Sequence, residues 1–578
     1  MDKKSYCIAW LMLLFVGSLH AQYRTTTYCN PLNLDYTYPF HNSHLGKSYR
    51  SGADPAVVEF RGEYYMFVTR SWGYWHSKDL LNWDFITPEK WYFEGCNAPA
   101  AHNYKDSVLY VCGNPSGAMS ILYTDNPKRG DWKAVPSVLH DLQDPALFID
   151  DDERAYMYWG SSNRWPIRGK ELDMKNKFLP IAKKPDSLLF LRPDIHGWER
   201  FGENHTSDIK PFIEGAWMTK HNGKYYLQYA APGTQFNVYG DGVYVGKSPL
   251  GPFEYAAHNP FCYKLGGFAT GAGHGSTVCG PGGIYWHFGT IHLSINYKFE
   301  RRLCMFPTFF DEDGAMYSDT YFGDYPHYSP DQVSRQTTSG GFRGWMLLSY
   351  GKPVKASSQL ESYPVENVTD ENLKTFWVAE KNDDKQWVEI DLEEVSDVYA
   401  LQLNFFDYEE TGFWGRMPNL RQRYLVEASV DGARWRVLVD YRNSFRDAPH
   451  NYIELDQPIE ARYIRYRHHY VPGKNLAMGD IRVFGLGRGK KPATVKGFTV
   501  VREADERNAR ISWKAVKGAQ GYNVLWGVAL DKLYSSWMVY GDNSLDLRAL
   551  TVGQKYYFAI EAFNENGISQ RVFLREAH

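Results

Sequence analysis

The sequence predicts an all-β protein with several domains. Aromatic residues make up 16% of the 578 residues, and 50 glycines and 29 prolines supply frequent turns. Aromatic side chains favour strands, and glycine and proline favour the turns between them. Apolar and polar residues alternate in segments such as 386–392 and 423–428, whereas no long amphipathic helix stands out. At about 100–200 residues per domain, the length indicates three or more domains.

The charge balance argues against a partner that is a polyanion. The formal net charge is −3, from 64 basic and 67 acidic residues. Nucleic-acid binding needs a basic surface, and the chain has no basic stripe or matching motif. We therefore expect no nucleic-acid partner.

Residues 1–21 are predicted to be a secretory signal peptide. Lys3 and Lys4 precede a short apolar run at residues 8–16, and the segment ends at Ala21. The run is short for a membrane span, and no other stretch of 18 apolar residues follows. This predicts an exported protein, periplasmic or extracellular, without a membrane span. Six scattered cysteines remain after cleavage, and without a CxxC pair they indicate neither a disulfide scaffold nor a zinc motif.

Two polar, glycine-containing stretches divide the mature chain into three segments. Residues 334–344 and 487–492 have the composition of linkers. They separate an aromatic-rich segment, residues 22–333, from two segments with strand-like alternation, residues 345–487 and 493–578.

The first segment contains a repeat. Five aromatic strand cores recur in it, beginning at Tyr64, Leu109, Ala155, Tyr225 and Ile284. Recurring β units of this size predict a propeller, here with five blades. Eleven or twelve residues before a tyrosine of each core stand Asp54, Ala98, Asp144, Glu214 and His274. Equivalent positions in a propeller surround one central funnel, so three carboxylates and a histidine are predicted to converge there.

Such a cluster of acids indicates catalysis. Burying like charges together destabilises a fold unless a metal or a function requires it. Two carboxylates across a pocket carry out glycoside hydrolysis, one protonated to assist the leaving oxygen and one ionised to activate water or attack. Mutual repulsion raises the pKa of one of them, and a third carboxylate helps to maintain the difference.

At these residues the sequence resembles glycoside hydrolase family 43. The resemblance covers about residues 28–325 and rests on Asp54-Pro-Ala, Asp144-Pro-Ala and Glu214-Gly-Ala-Trp217 in this order. It implies an inverting mechanism in which Asp54 is the general base and Glu214 the general acid. Asp144 would then tune the pKa of Glu214 and orient it. The family commonly has Gly-Pro after the acid, whereas this chain has Gly-Ala.

The same resemblance suggests further site residues. His274, in a Gly-His-Gly motif, corresponds to a histidine near the centre of the ring and near a calcium or water site; a hydrogen-bonded core histidine is the alternative. Either Arg301 or Arg302 would face the substrate, since alternation along a strand directs only one of them into the funnel. Three tryptophans at ring positions are candidates for sugar stacking or core packing: Trp72, Trp159 and Trp217. No cofactor is required, although calcium is compatible with the resemblance.

The two remaining segments resemble accessory modules. Residues 345–487 are similar to a factor 5/8 type C, or discoidin-like, β-sandwich, through Asp370 to Trp377, Gln386 to Leu392 and Gly479 to Gly485. Such modules bind sugars or serve as structure, and some hold calcium near the loop that contains Asp370. Residues 493–578 resemble a fibronectin type III domain, through Ile511-Ser512-Trp513 and Tyr556 to Ile560.

Together these features predict an exported, inverting exo-glycosidase whose partner is an oligo- or polysaccharide of plant origin. The resemblance favours an α-L-arabinofuranosidase, with a β-galactosidase of the exo-1,3-galactanase type or a β-xylosidase as alternatives. A propeller that only binds glycans is the alternative from another class. The oligomeric state is left open.

Overall fold

The computed structural model describes residues 25–39, 46–89, 96–114, 119–139, 142–182, 184–333 and 340–574. The predicted signal peptide and most of the first linker lie outside these residues. Strands dominate the described part of the chain, which contains no α-helix and only short 3-10 helices. Those 3-10 helices are Met174–Asn176, Gly197–Glu199, Glu203–His205, Pro281–Gly283 and Val365–Val368. No helix among these residues is long and apolar enough to cross a membrane.

Five antiparallel sheets follow one another through the first segment. Their strands pair in chain order, except that Asp186–Leu189 pairs with Ile167–Asp173 in the third sheet. Sheet I consists of Ala56–Phe60, Glu63–Phe67, Tyr74–Ser77 and Trp83–Ile86. Sheet II consists of Asn97–Tyr104, Val108–Asn114, Met119–Thr124 and Lys133–Leu139. Sheet III consists of Ala146–Ile149, Ala155–Trp159, Ile167–Asp173, Leu179–Pro180 and Asp186–Leu189. Sheet IV consists of Glu214–His221, Lys224–Ala231, Gly240–Gly246 and Phe253–Tyr255. Sheet V consists of Gly273–Cys279, Tyr285–His292, Arg301–Phe310 and Met316–Ser318.

The sheets form a closed ring, as in a β-propeller. The first strand of each sheet contacts the first strand of the next, and that of sheet V contacts that of sheet I. The five aromatic cores of the sequence repeat lie in the second strands, which are almost entirely buried. Strands covered on both faces carry apolar residues without strict alternation. This explains why the cores stand out in the sequence as aromatic runs.

The second segment is a β-sandwich with its own core. Its strands are Met346–Leu347, Val354–Ala356, Trp377–Val378, Trp387–Phe405, Arg423–Ser429, Arg436–Asp440, His450–Tyr470 and Ala477–Leu486. The two longest strands, Trp387–Phe405 and His450–Tyr470, pair with each other, and their register shifts twice. Such bulges bend a strand and increase its twist, which lets long strands contribute to two layers. Val388, Ile390 and Leu401 are among the fully buried core residues.

The third segment is a two-layer sandwich that joins the propeller. One layer contains Lys496–Arg502, Ala509–Lys514 and Ser544–Leu547, and the other contains Gly521–Gly527, Ser535–Tyr540, Tyr557–Asn564, Gly567–Ile568 and Val572–Leu574. Lys264–Gly266, a strand of the first segment, pairs in parallel with Ser535–Tyr540. One sheet therefore crosses the boundary between the two domains.

The discoidin-like module is also tied to the propeller segment. The carboxylate of Glu454, in the module, accepts hydrogen bonds from the backbone amides of Thr26 and Thr27. Thr27–Tyr28 pairs in turn with His327–Tyr328 of the same first segment. A buried ion-pair network adds to this contact. Arg482 forms a two-pronged pair with Glu371 at 2.7 and 3.0 Å and donates to the carbonyl oxygen of Asp324 at 2.6 Å.

Candidate active site

The predicted ring positions share an unusual backbone. Asp54, Ala98, Asp144 and His274 have φ values of +56°, +44°, +50° and +48°, and Gly215, next to Glu214, has +68°. Positive φ is uncommon for residues other than glycine and is concentrated at functional sites. In sheets II, IV and V the register of the first strand shifts at this point. The sequence repeat thus corresponds to a backbone kink at the start of each innermost strand.

The kinks bring the acidic side chains and the histidine together. Nδ1 of His274 lies 3.4 Å from Oδ1 of Asp54 and 4.0 Å from Oδ2 of Asp144. Asp144, Glu214 and His274 offer polar atoms that all lie within 4.8 Å of one another. Asp54 and Asp144 are only 7% and 9% exposed. The four residues therefore form one compact, largely dehydrated cluster.

Asp54 is surrounded by groups that favour its ionised form. The hydroxyl of Thr69 donates to Oδ2 at 2.6 Å, and a guanidinium nitrogen of Arg301 lies 3.4 Å from Oδ1. The hydroxyl of Thr290 accepts from the backbone amide of Asp54 at 2.9 Å, which fixes the kink. Burial alone would raise the pKa of Asp54, but the charges of Arg301 and His274 and the Thr69 hydroxyl hold this pKa below its usual value. A carboxylate in this state can accept a proton from water.

Glu214 is held by two hydroxyl groups. Tyr239 donates to Oε1 at 2.6 Å, and Ser161 donates to Oε2 at 3.0 Å. Tyr239 comes from the aromatic loop before the third strand of sheet IV, and Ser161 from the loop after the second strand of sheet III. The carboxyl group of Glu214 is thereby fixed in position from two sides.

Asp144 carries the raised pKa of the cluster. Burial is the main cause, and the charges of Glu214 and Asp54 add to it, while His274 and Ser161 oppose it; together they raise the pKa of Asp144 to about 7. The sequence predicted that repulsion would raise one pKa among the acids. That raised pKa was expected at the general acid, whereas in the structure it belongs to Asp144, the expected modulator, with burial as its main cause.

His274 is positioned through its own backbone. Its amide donates to Oδ1 of Asp241 at 2.8 Å, and the amide of Gly275 donates to Oδ2 at 2.9 Å. Nε2 of His287 lies 3.1 Å from the same carboxylate. Burial would lower the pKa of His274, but the charges of Asp54, Asp144 and Glu214 raise it. The three acids therefore favour the protonated form of the imidazole.

The donor set does not favour a metal at His274. Although Asp144, Glu214 and His274 are close enough to hold an ion, both oxygens of Glu214 already accept hydrogen bonds. The second metal candidate, Asp370, lies on the discoidin-like module, where its carboxylate accepts from Thr375 at 2.7 Å and from the amide of Asn372 at 3.1 Å. Calcium at either place stays a prediction.

The structure separates the two candidate arginines. Nη1 of Arg301 lies 3.4 Å from Oδ1 of Asp54 and 3.3 Å from the hydroxyl of Thr234. The buried Nε of Arg301 has no hydrogen-bond partner among the described residues. Arg302 points the other way and donates to Nε2 of His450 in the discoidin-like module at 2.8 Å. Arg302 is therefore an interface residue rather than a substrate ligand, because neighbouring residues of a strand face opposite sides.

The three candidate tryptophans lie in different surroundings. Trp159 is buried in the propeller core, and half-buried Trp217 packs against that core and donates to the carbonyl oxygen of Thr277 at 3.3 Å. This placement favours core packing over sugar stacking for both. Trp72 is half-buried and contacts Trp414 of the discoidin-like module with ring centroids 5.5 Å apart.

Sequence reasoning missed several residues that organise the site. Tyr239, Ser161, Thr69 and Asp241 hold the acids and the histidine in place, but they occur in no repeat. The only signal for Tyr239 was its position in an aromatic-rich loop. Trp414 could not be associated with the site at all, because it belongs to another domain.

Comparisons with known proteins find similar families for two of the three segments. The model of the family described as "Glycosyl hydrolases family 43" matches residues 49–316, and that of the "F5/8 type C domain" matches residues 353–478. Residues 49–316 are thus similar to family 43 glycosyl hydrolases, and residues 353–478 are similar to F5/8 type C domains.

Individual relatives of the chain are distant. A "Beta-xylosidase" of Xylanibacter ruminicola is 33% identical over 202 residues, which cover 31% of this chain and 57% of that protein. An "Arabinoxylan arabinofuranohydrolase" of Bacillus subtilis is 25% identical over 321 residues, which cover 45% of this chain and 58% of that protein. The chain thus spans little more than half the length of these curated relatives. The solved structure of the GH43 BlXynB protein from Bacillus licheniformis is 14% identical, with a TM-score of 0.40, over 92% of this chain and 98% of that chain.

Proposed function

We propose that the protein is an inverting exo-glycosidase that removes terminal sugars from plant polysaccharide side chains. The observation that carries this proposal is the acid cluster. Asp54, whose pKa is lowered, and Asp144, whose pKa is raised to about 7, lie together in one largely buried pocket. Inverting hydrolysis needs one carboxylate as base and one carboxylic acid as proton donor.

In the proposed reaction, Glu214 gives its proton to the glycosidic oxygen, and the bond from that oxygen to the anomeric carbon breaks. Asp54 takes a proton from a water molecule, whose oxygen forms the new bond to the anomeric carbon from the opposite face. Asp144 lies close to Glu214, and its raised pKa disfavours a second negative charge beside the proposed acid. Arg301 orients Asp54 and offers its unpaired Nε to a sugar hydroxyl.

For the substrate, we propose α-L-arabinofuranosyl side chains. The relatives named above are a β-xylosidase and an arabinofuranohydrolase, so a β-xylosidase stays an alternative. A β-galactosidase of the exo-1,3-galactanase type remains a further alternative. We also propose that residues 1–21 direct export, that the five sheets are five propeller blades, and that residues 493–578 form a fibronectin type III-like domain.

The test is hydrolysis of a panel of 4-nitrophenyl glycosides and plant oligosaccharides, with the anomers of the product followed by NMR. Release of one monosaccharide with inverted configuration is expected from the wild type. Glu214→Gln should abolish this release, and the surface control Glu254→Gln should not. If the wild type binds glycans but turns none over, the protein is a glycan-binding propeller instead. Unchanged turnover in Glu214→Gln would remove this residue from the mechanism.

A further inference from the structure

The discoidin-like module places one long loop on the catalytic domain. Residues 406–422 connect two strands of that module. Gly415 exchanges both backbone hydrogen bonds with Tyr38, at 2.7 and 2.9 Å. Ser48 donates through its amide to the carbonyl oxygen of Glu410 and through its hydroxyl to that of Phe413, both at 2.7 Å. The loop therefore adds its backbone to the N-terminal part of the catalytic domain.

Charged contacts hold this loop on both sides of Trp414. Near the start of the loop, Asp407 accepts from Nε of Arg50 at 2.8 Å. Two residues after Trp414, Arg416 pairs with Asp35, and its guanidinium lies 3.7 Å from the ring centroid of Phe85. Cation–π and ion-pair contacts that are partly buried restrict motion more than isolated surface pairs do. The loop is thus a fixed part of the catalytic domain's surface.

Between these anchors, Trp414 stays exposed. Its side chain is 56% exposed, and its ring stands at 79° to that of Trp72. Gly415, at φ +65°, lies against Trp72, since a Cβ at this glycine would be 3.1 Å from the indole ring. The loop backbone thus supports Trp72 while Trp414 projects beside it. The two rings form a right-angled corner, which we call the Trp corner.

The Trp corner is linked to the acid cluster through short stretches of chain and hydrogen bonds. Trp72 follows Thr69 by three residues, and the Thr69 hydroxyl bonds to the carboxylate of Asp54. On the other side, Tyr38, which pairs with Gly415, adjoins Thr37, which pairs with Ser51 three residues before Asp54. Two short routes, each made of a few residues and hydrogen bonds, therefore connect the corner to Asp54.

We propose that the Trp corner is a subsite for the carbohydrate chain from which the terminal sugar is cleaved. The inference rests on the proposed exo-glycosidase function. An exo enzyme holds only the terminal sugar in its funnel, so carbohydrate at the rim belongs to the leaving chain. Exposed tryptophan rings held rigidly offer large apolar faces at low entropic cost, which suits the apolar faces of sugar rings. The discoidin-like module would then act by completing the active site.

The test compares a small and a polymeric substrate in the full-length protein. Trp414→Ala should lower kcat/KM on arabinoxylan by about tenfold, mainly through KM, as expected for the loss of one aromatic contact. Activity on 4-nitrophenyl α-L-arabinofuranoside should stay within about twofold of the wild type, since this substrate has no leaving chain. Trp414→Phe should recover part of the polymer activity. Phe445→Ala, a 77% exposed aromatic residue of the same module, is the matched control.

A binding measurement separates failure of this proposal from failure of the proposed function. Arabinoxylan oligosaccharides are titrated calorimetrically into Glu214→Gln with and without Trp414→Ala. Weaker binding after the tryptophan change supports the subsite even if the wild type turns over no substrate. Equal binding and equal polymer hydrolysis with and without Trp414 overturn the proposal. If Glu214→Gln binds no arabinoxylan oligosaccharide at all, the subsite proposal is overturned for these oligosaccharides.

Discussion

Replacing Asp144 by asparagine should stabilise the fold at alkaline pH while it damages catalysis. The folded protein raises the pKa of Asp144 from 3.8 to about 7. At 1.36 kcal/mol per pH unit, the ionised carboxylate is disfavoured in the folded state by about 4 kcal/mol. Asparagine cannot ionise, and it tolerates the positive φ of this position. The variant therefore removes the penalty without disturbing the kink.

The pH dependence of this gain has a definite sign. Between pH 3.8 and about 7 the folded state binds more protons at Asp144 than the unfolded state does. The stability that protonation contributes is complete below pH 3.8 and is lost as the pH rises through about 7. Asp144→Asn should therefore differ little from the wild type in acid and gain most at alkaline pH.

Thermal unfolding near pH 4 and near pH 8 measures the effect. For a domain of this size, about 4 kcal/mol corresponds to a rise in Tm of about 8 °C at the higher pH. Asp125→Asn, an exposed change on the same domain, controls for the loss of one negative charge. An equal Tm difference at both pH values, or a less stable variant at pH 8, would refute the electrostatic account of this site.

Three further predictions concern neighbouring residues. Arg301→Lys should lower kcat/KM by at least tenfold with little change in Tm, because Arg301 faces the acids. Arg302→Lys should lower Tm and leave kcat/KM unchanged, because Arg302 contacts the discoidin-like module instead. Tyr239→Phe should reduce kcat by about tenfold or more through the loss of one charge-assisted hydrogen bond to the proposed acid, with KM nearly unchanged. Arg482→Met should destabilise the protein by about 3–5 kcal/mol, because it leaves the carboxylate of Glu371 buried and unpaired; simultaneous Glu371→Gln should restore part of this loss in denaturant unfolding.

The acid positions could be predicted because they repeat. Asp54, Asp144, Glu214 and His274 each stand at or beside a kink that starts an innermost strand, so they share one distance from an aromatic core. The side chains that hold these acids do not repeat. Tyr239 comes from a loop, and its partner depends on how the loop folds.

The arginine pair shows a second limit of sequence reasoning. Alternation predicts that one of Arg301 and Arg302 faces the funnel, but the choice depends on register. The structure pairs Arg301 with His292 and Arg302 with Ile291 in the neighbouring strand, and this register directs the first arginine to the acids. The contacts between domains were equally hidden, because the composition of a linker does not reveal whether the domains on either side touch.

Because Lys264–Gly266 pairs in parallel with Ser535–Tyr540, the first and third segments share one sheet and are not structurally separate modules. A fragment that stops before residue 493 would leave the edge of a three-residue strand in the catalytic domain without its neighbour, and would open a sheet edge to association with other chains. The boundaries that are visible in the sequence are therefore poor places to cut. A truncated protein is therefore best designed to keep residues 264–266 together with the third segment.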